Sequence, residues 1–221
     1  MTPRLVPPDP RFTTESERAV WVRLRDTLSP RDTLIANLRL TDIAKDHEAD
    51  LGIVMPDVGV VVVEVKGAGI ACTDGVWTMS HDGERRPVDP VGQARDAKYA
   101  IRDYVESDRR WAESSRGKSR FLHAGVAAFA GLPTGLHLPD CPRWMLHDRA
   151  DLPVLAERLR HVPSGFETHR RPPSEEDCGL IVDILTARGS DVAASVTDDA
   201  DERQARADRL TEDQALLLRV T

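Results

Sequence analysis

The stretch DLGIVMPDVGVVVVEVK, residues 50–66, decides the fold that this sequence predicts. It contains two apolar runs separated by the turn-forming pair Pro56 and Asp57. Short β-branched runs broken by turn residues are typical of a β-hairpin. A hairpin symmetric about Asp57 places Asp50 directly opposite Glu64 on the neighbouring strand.

The facing carboxylates of Asp50 and Glu64 predict a cation site. Facing side chains on antiparallel strands have Cβ atoms about 5 Å apart, and like charges at that distance repel each other. A divalent cation between them removes the repulsion, because carboxylate oxygens are hard ligands. Lys66 lies two residues beyond Glu64 and therefore projects from the same face of the strand.

The alternative is that Glu64 and Lys66 form a solvated salt bridge at a strand end, since short motifs often match by chance. The strand itself argues against this, because residues 60–63 are all valine and make both of its faces apolar. Such a strand is typical of the centre of a sheet covered on both sides. Charges at its end then lie in a crevice, which favours a functional site.

The motifs DLGIV at 50–54 and GVVVVEVKG at 59–67 resemble the core of the nuclease-related domain (NERD) family, within the PD-(D/E)XK nuclease superfamily. The resemblance covers about residues 15–130. It implies an α/β fold with a restriction-endonuclease-like core, in which helices flank a mixed central sheet, followed by a helical C-terminal extension. It also implies a metal-dependent phosphodiesterase that acts on DNA.

The resemblance further implies roles for the charged residues of the hairpin. Asp50 and Glu64, together with the carbonyl of Val65, are the expected ligands of Mg²⁺ or Mn²⁺. Lys66 is expected to position the attacking water or to stabilise the charged transition state.

Two predicted helices add further candidates. The first, capped by Thr14 or Ser16, carries Glu17, which matches the glutamate of the family's early helix and is expected to reach the metal directly or through water. The second carries Gln93 in its first turn, which matches the family's helix glutamine and is expected to orient the nucleophile. In the alternative, Glu17 only complements the helix dipole, with Glu15 as the second candidate for the site, and Gln93 is a surface residue.

Apolar spacing and turn signals predict the remaining elements. We expect the first helix to end near residue 28 and the second to run from about 91 to 106. The other expected elements are a strand at 33–40, a polar loop at 41–48, a hairpin formed by 69–73 and 76–79, a loop at 81–90, a buried strand at 121–131, an edge strand at 143–147, and helices at 151–161 and 174–187.

A basic segment surrounds Trp111 between residues 109 and 120. Mobile basic loops that contain an aromatic residue are typical of surfaces that bind a nucleic-acid strand. We therefore predict DNA contacts from Arg109, Arg110 and Lys118. The alternative is a solvated run of charges.

Length and composition limit the possible functions. The 221 residues suffice for one α/β domain with an appendage, and the net charge of −7 disfavours a protein that merely coats DNA. The three cysteines, Cys72, Cys141 and Cys178, are widely spaced. We expect a reduced, cytoplasmic protein with no membrane partner.

We divide the chain into five segments. They are an N-terminal arm at 1–14, the nuclease-related domain at 15–162, a helical extension at 163–188, an acidic linker at 189–208, and a final segment at 209–221. The final segment, RLTEDQALLLRVT, resembles the opening of UvrD-type superfamily-1 helicases. That resemblance implies that Gln214 contacts the adenine of ATP and that a helicase acts with this chain in cis or in trans. The alternative is a helical tail capped by Thr211.

The function expected from these motifs is a Mg-dependent deoxyribonuclease in DNA processing, repair or defence, alone or coupled to a helicase. The main alternative is a catalytically silent nuclease fold that docks DNA or a partner for a helicase. A third hypothesis, a fragment of an ATP-driven motor, rests on the tail alone. It is disfavoured because no phosphate-binding loop of the form GxxxxGK[ST] is present.

Overall fold

The computed structural model describes residues 2–41, 46–67, 69–73, 76–81, 84–114, 116–133, 136, 142–162, 167 and 169–187. In these ranges the strands are β1 (Arg4–Val6), β2 (Thr33–Thr41), β3 (Asp46–Met55), β4 (Gly59–Lys66), β5 (Ile70–Thr73), β6 (Val76–His81), β7 (Glu84–Pro87), β8 (Phe121–Ala127) and β9 (Leu146–Asp148). The α-helices are α1 (Glu15–Thr27), α2 (Pro90–Ser107), α3 (Arg109–Ala112), α4 (Leu155–Arg160) and α5 (Glu175–Ala187). The described residues up to Ile181 form a first compact unit, and a second unit begins at Val182.

A mixed six-stranded sheet in the order β1-β2-β3-β4-β8-β9 forms the centre of the first unit. The pairs β2–β3 and β3–β4 are antiparallel, whereas β1–β2, β4–β8 and β8–β9 are parallel. A separate antiparallel sheet contains β5, β6 and β7. This arrangement confirms the predicted α/β fold with a mixed central sheet.

The β3–β4 hairpin has the predicted register. Its pairs run from Leu51 opposite Val63 to Met55 opposite Gly59, which makes the hairpin symmetric about Asp57. The Val58 N–H donates to the Met55 carbonyl at 3.2 Å and closes the turn. Asp57 adopts a φ of 66°, the left-handed conformation that suits the third position of a turn with proline before it.

Strand β4 is covered on both faces, as its four valines predict. Val61 and Val63 belong to the core cluster that contains Val20 and Leu24 of α1. Successive side chains of a strand point to opposite faces, so the other valines face α2, which packs on β4 and β8. Burial on both sides makes β4 the rigid centre of the sheet.

The two helices flanking this sheet begin where the sequence predicts. Thr14 caps α1 by accepting a hydrogen bond from the Glu17 N–H at 3.2 Å. Asp89 caps α2 by accepting from the Gly92 N–H at 2.8 Å. Helix α5 begins directly after Ser174, whose hydroxyl oxygen accepts from the Asp177 N–H. None of the helices that the described ranges contain is long and apolar enough to cross a bilayer.

Three segments predicted as irregular are strands instead. Residues 46–48 extend β3, because Glu48 pairs across the sheet with Arg39 at 2.8 Å. Residues 84–87 form β7, which pairs with β6. Residues 4–6 of the expected extended arm form β1 at the edge of the central sheet. Pairing with a neighbouring strand stabilises all three, which local composition does not reveal: β1 pairs with the distant β2, whereas β7 and the start of β3 pair with the strand just before them.

Other predicted elements differ in extent. The buried strand predicted at 121–131 ends at Ala127, because the Ala130 N–H turns back to the Ala127 carbonyl. The segment at 143–147 is a 3₁₀ turn followed by the edge strand β9. The helix predicted from 151 begins as a 3₁₀ turn and becomes α4 only at Leu155.

Replacement of Gly59 with alanine tests the packing at the start of β4. An alanine Cβ there would lie 2.8 Å from the Arg120 carbonyl oxygen, at a φ of +154° that side chains rarely adopt. We expect Gly59→Ala to lower the free energy of unfolding by about 1–3 kcal/mol in urea denaturation. Gly131→Ala is the control, since a Cβ at that position has no atom within 4 Å. Equal stability of the two variants would contradict this account.

His147 on β9 gives the fold a pH-dependent stability. Its ring is fully buried, and its Nδ1 accepts a hydrogen bond from the Arg158 Nε at 3.0 Å. Burial, together with the nearby charge of Arg158, lowers the pKa of His147 to about 4. As pH falls through the unfolded pKa of about 6.5, only the unfolded chain gains the proton, so the folded state loses stability.

We expect His147 to cost about 2 kcal/mol of stability between pH 7 and pH 5. His147→Gln removes the titrating group, so its free energy of unfolding should fall less over this range than that of the wild type. Urea denaturation at both pH values measures the difference. A parallel decline in the two proteins would show that His147 does not remain neutral in the fold.

Candidate active site

The central charged pair of the site lies at the C-terminal end of β4. The Lys66 Nζ donates to the Glu64 Oε1 at 2.6 Å. The Glu64 side chain is 10% exposed and the Lys66 side chain 17%. The pair is therefore not the solvated salt bridge of the alternative interpretation.

Asp50 lies beside this pair, on the adjacent strand β3. Its Oδ2 accepts a hydrogen bond from the Val65 N–H at 2.6 Å. Leu51 and Val63 face each other in the core cluster on the α1 side. Asp50 precedes Leu51 and Glu64 follows Val63, so both acids point to the opposite face, as does Lys66. The three side chains that the sequence predicts as a group share one face of the sheet.

The backbone N–H and carbonyl of Val65 are directed towards β3, the strand that carries Asp50. The N–H and C=O of one strand residue point towards the same neighbouring strand. The Val65 N–H points to Asp50, so its carbonyl lies on that side as well. Lys66, the next residue, directs its carbonyl the other way, to the Ala128 N–H at 2.8 Å.

Burial makes both carboxylates costly to ionise. Burial raises the pKa of Asp50, and the charge of Glu64 raises it further, while the Val65 N–H opposes the shift. Burial also raises the pKa of Glu64, against the opposing effect of Lys66. The site thus contains more negative charge than its own hydrogen bonds and Lys66 compensate.

The donor atoms suit a hard divalent cation. Two carboxylates and a backbone carbonyl offer only oxygen, and Mg²⁺ is usually bound by one or two carboxylates with water completing its shell. A cation there would offset the cost of burying the two acids and the repulsion that Glu64 exerts on Asp50. Among the residues that the structure describes, no group of three or more His, Cys, Asp or Glu side chains is placed to hold a metal. A cation here therefore depends on water, backbone and substrate oxygens.

Comparison with protein-family models identifies the domain. The model described as a nuclease-related domain matches residues 13–124, just over half of the chain. The chain belongs to the nuclease-related domain (NERD) family. Comparison with curated proteins gave no match, and comparison with solved structures gave none either. The matched segment of the NERD domain includes all the residues predicted to be catalytic: Glu17, Asp50, Glu64, Lys66 and Gln93.

Glu17 of the NERD domain caps its own helix and also lies near the acids. Its two carboxylate oxygens accept from the Thr13 N–H at 3.2 Å and the Thr14 hydroxyl at 2.7 Å. Its charge raises the pKa of both Asp50 and Glu64, which places it within electrostatic range of the site. The structure shows the contacts of Glu17 at the start of its own helix, whereas the expected contact of Glu17 with a metal stays a prediction.

The start of α1 approaches the end of β4 through small residues. A Cβ on Gly67 would lie 3.3 Å from the Ser16 hydroxyl oxygen. Ser16 is buried, and its hydroxyl contacts that of Thr14 at 2.8 Å. The sequence singled out Ser16 only as a cap, whereas the structure places it where α1 meets β4.

Gln93 is exposed in the first turn of α2, although Pro90, Val91 and Gly92 of the same turn are buried, so it has the surface position of the alternative interpretation. Pro90, in the same turn, lines an apolar crevice together with Lys66 and Trp77. Gln93 is therefore at the end of α2 that borders the site. Trp77 is buried where it lines this crevice.

The basic segment of the NERD domain lies at the opposite end of the central strands. The Arg120 carbonyl accepts from the Val60 N–H at the start of β4, whereas Lys66 ends that strand. Six residues of strand separate the two points by about 20 Å. Lys118 is exposed at this distant end. The structure does not bring it into the acidic site.

The other residues of the basic segment are occupied within the protein. Arg109 pairs with Glu113 at 2.7 Å, and Arg110 with Asp108 at 2.9 Å. Trp111 is buried, with its indole N–H donating to a backbone carbonyl, so it is not placed for base stacking. DNA binding by these arginines stays a prediction.

Glu48 is exposed and pairs with Arg39, although its charge still raises the pKa of Glu64. Gln214, the predicted ATP contact, lies outside the described residues.

Glu17→Ala tests the capping role of this residue. We expect it to lower the free energy of unfolding by about 1 kcal/mol, because an N–H and a hydroxyl lose their acceptor. Glu15→Ala is the matched control in the same helical turn, since Glu15 pairs only with Arg18 at the surface. Urea denaturation compares the two variants. Equal effects would show that Glu17 does not fix the start of α1.

Proposed function

We propose that this NERD domain is a metal-dependent nuclease that hydrolyses phosphodiester bonds in DNA. One observation supports this above the others: Asp50, Glu64 and Lys66 lie together on one face of the sheet, with Glu64 buried and Asp50 half-buried. Buried groups whose pKa is displaced by burial and by a like charge are typical of functional sites. Membership of the nuclease-related family favours nucleic acid as the substrate.

Asp50, Glu64 and the Val65 carbonyl are the proposed ligands of Mg²⁺ or Mn²⁺. Such an ion, when bound, polarises a phosphate oxygen and lowers the pKa of a coordinated water. The Val65 N–H holds the Asp50 carboxylate in place through their 2.6 Å hydrogen bond. Asp50 is therefore oriented before any ligand arrives.

Lys66 supplies the positive charge on the reacting side. Its ammonium group is held by Glu64 at 2.6 Å and is largely shielded from water. A phosphate that enters the site gives Lys66 a second anionic partner, and the negative charge that develops during hydrolysis strengthens that contact. Gln93, which is exposed in the first turn of α2, is proposed to orient the attacking water. Glu17 is proposed to contribute through water, because its own oxygens already accept two hydrogen bonds.

Replacement of the central residues tests the proposal. We expect Lys66→Ala and Asp50→Asn each to lower the rate of Mg²⁺-dependent DNA cleavage by at least about 100-fold. The control is Asp103→Asn, which removes an exposed carboxylate from α2. Cleavage of supercoiled plasmid and of labelled single-stranded and duplex oligonucleotides provides the readout. Unaltered cleavage by Lys66→Ala would remove the assignment.

A catalytically silent docking module is the second candidate. The contacts that the charged groups make within the protein favour this candidate. Lys66 forms an ion pair with Glu64, and each carboxylate oxygen of Glu17 accepts a hydrogen bond. Such a module would bind DNA or a helicase partner without cutting. Wild-type protein that binds DNA but leaves it intact at every Mg²⁺ and Mn²⁺ concentration would establish this candidate instead.

Coupling to a helicase is a further part of the proposal. It rests on the resemblance of residues 209–221 to the start of a UvrD-type helicase, with Gln214 as the ATP contact. A role in DNA processing, repair or defence follows from the same association of nuclease with motor.

A further inference from the structure

An exposed phenylalanine lies at the site end of the sheet. Phe129 is 39% exposed, although every residue of β8 from Ala124 to Ala127 is buried. It occupies the turn that the Ala130 N–H closes on the Ala127 carbonyl. Single exposed apolar residues are common on protein surfaces and do not indicate a function by themselves. The argument for Phe129 therefore depends on its position relative to the candidate active site.

The backbone joins this turn directly to the candidate active site. The Ala128 N–H donates to the carbonyl of Lys66 at 2.8 Å. Phe129 is thus one residue from a group bonded to the central lysine of the site. Lys66 is the last residue of β4, and Phe129 follows the last residue of β8 by two positions. Both residues therefore lie at the carboxyl ends of these parallel strands, the edge at which α/β sheets usually bind ligands.

A cation shares this edge. The Arg149 N–H donates to the carbonyl of Ala130 at 3.0 Å, so Arg149 begins beside the turn that carries Phe129. The Arg149 side chain is exposed, and within the described part of the chain it has no carboxylate partner. Arg109 and Arg110, at the distant end, are both ion-paired. Arg149 is therefore available to bind an anion, whereas Arg109 and Arg110 are already paired with acidic side chains.

We propose that Phe129 and Arg149 form a docking platform for an unpaired nucleotide, which makes single-stranded DNA the preferred substrate of the site. The Phe129 ring stacks on a base, and the Arg149 guanidinium contacts a neighbouring phosphate. This inference rests on the proposed function and specifies its substrate class.

The chemistry of the two groups selects an unpaired base. An aromatic ring on a turn needs a free base face, and in a duplex each interior base already stacks on both sides. Aromatic rings beside cations are the usual means of binding single strands without reading sequence. The net charge of −7 makes such local cations important, because the chain as a whole repels DNA.

A binding experiment without catalysis tests this platform. Full-length protein in EDTA is titrated into fluorescein-labelled oligothymidylate, and into a duplex of equal length, with anisotropy as the readout. We expect Phe129→Ala to weaken single-strand binding at least about fivefold, the lower limit for loss of one stacked base. Phe129→Trp should retain it, and duplex binding should change little. Arg149→Gln should weaken binding and reduce its salt dependence.

Tyr99→Leu is the matched control, because Tyr99 is 41% exposed on the outer face of α2. An oligonucleotide that contains 2-aminopurine adds a direct measure of stacking, since stacking quenches its fluorescence. We expect quenching by the wild type and by Tyr99→Leu, and its loss in Phe129→Leu. Unchanged affinity of Phe129→Ala, or equal losses in Phe129→Ala and Tyr99→Leu, would overturn the inference.

The two proposals fail in distinguishable ways. If Lys66→Ala does not reduce cleavage, or the wild type does not cut, the nuclease assignment fails while the binding results still report on Phe129. If cleavage depends on Lys66 but single-strand binding ignores Phe129, the nuclease assignment stands and the platform is wrong.

Discussion

The antiparallel pairing of β3 with β4 determines where the charged groups of the site lie. In the observed register Leu51 faces Val63, so Asp50 and Glu64 follow on the same face and beside each other. A slip of one residue would move Asp50 to the opposite face of the sheet and bury it among the apolar residues that contact α1. The turn at Pro56-Asp57 and the two apolar faces of β4 together oppose such a slip.

The same pairing compensates for the charges that it buries. The four valines at 60–63 are fully buried, and each contributes on the order of 1.5 kcal/mol through removal of its side chain from water. Against this stand two acids, Asp50 and Glu64, whose raised pKa values record the cost of ionising them in place. The hydrophobic burial of β4 thus offsets the electrostatic cost of placing the two acids next to each other in the site. Local violations of this kind are expected where a protein binds a ligand.

The domain has two chemically different ends. At the carboxyl ends of β4 and β8 lie the buried acids, Lys66, and the exposed pair Phe129 and Arg149. At the other end, about 20 Å along the strands, Arg109, Arg110 and Arg116 pair with nearby acids, as Arg116 does with Asp177 at 2.8 Å, whereas Lys118 is exposed. Total charge in a segment therefore says little about where an anionic substrate binds, because pairing decides which cations are available to it.

The sequence alone determined the hairpin, its register, the central position of β4, and the starts of α1 and α2. These depend on local signals: turn residues, runs of valine, and capping side chains within three residues of their partners. It also determined which side chains form the charged group. Only the tertiary structure decided which end of the sheet each segment occupies, that Trp111 is buried, that residues 84–87 form a strand, and that the chain turns at Phe129 instead of continuing β8. The placement of the segments depends on contacts between residues far apart in the chain, and the strand at 84–87 depends on its pairing with β6. No local pattern contains the energies of such contacts.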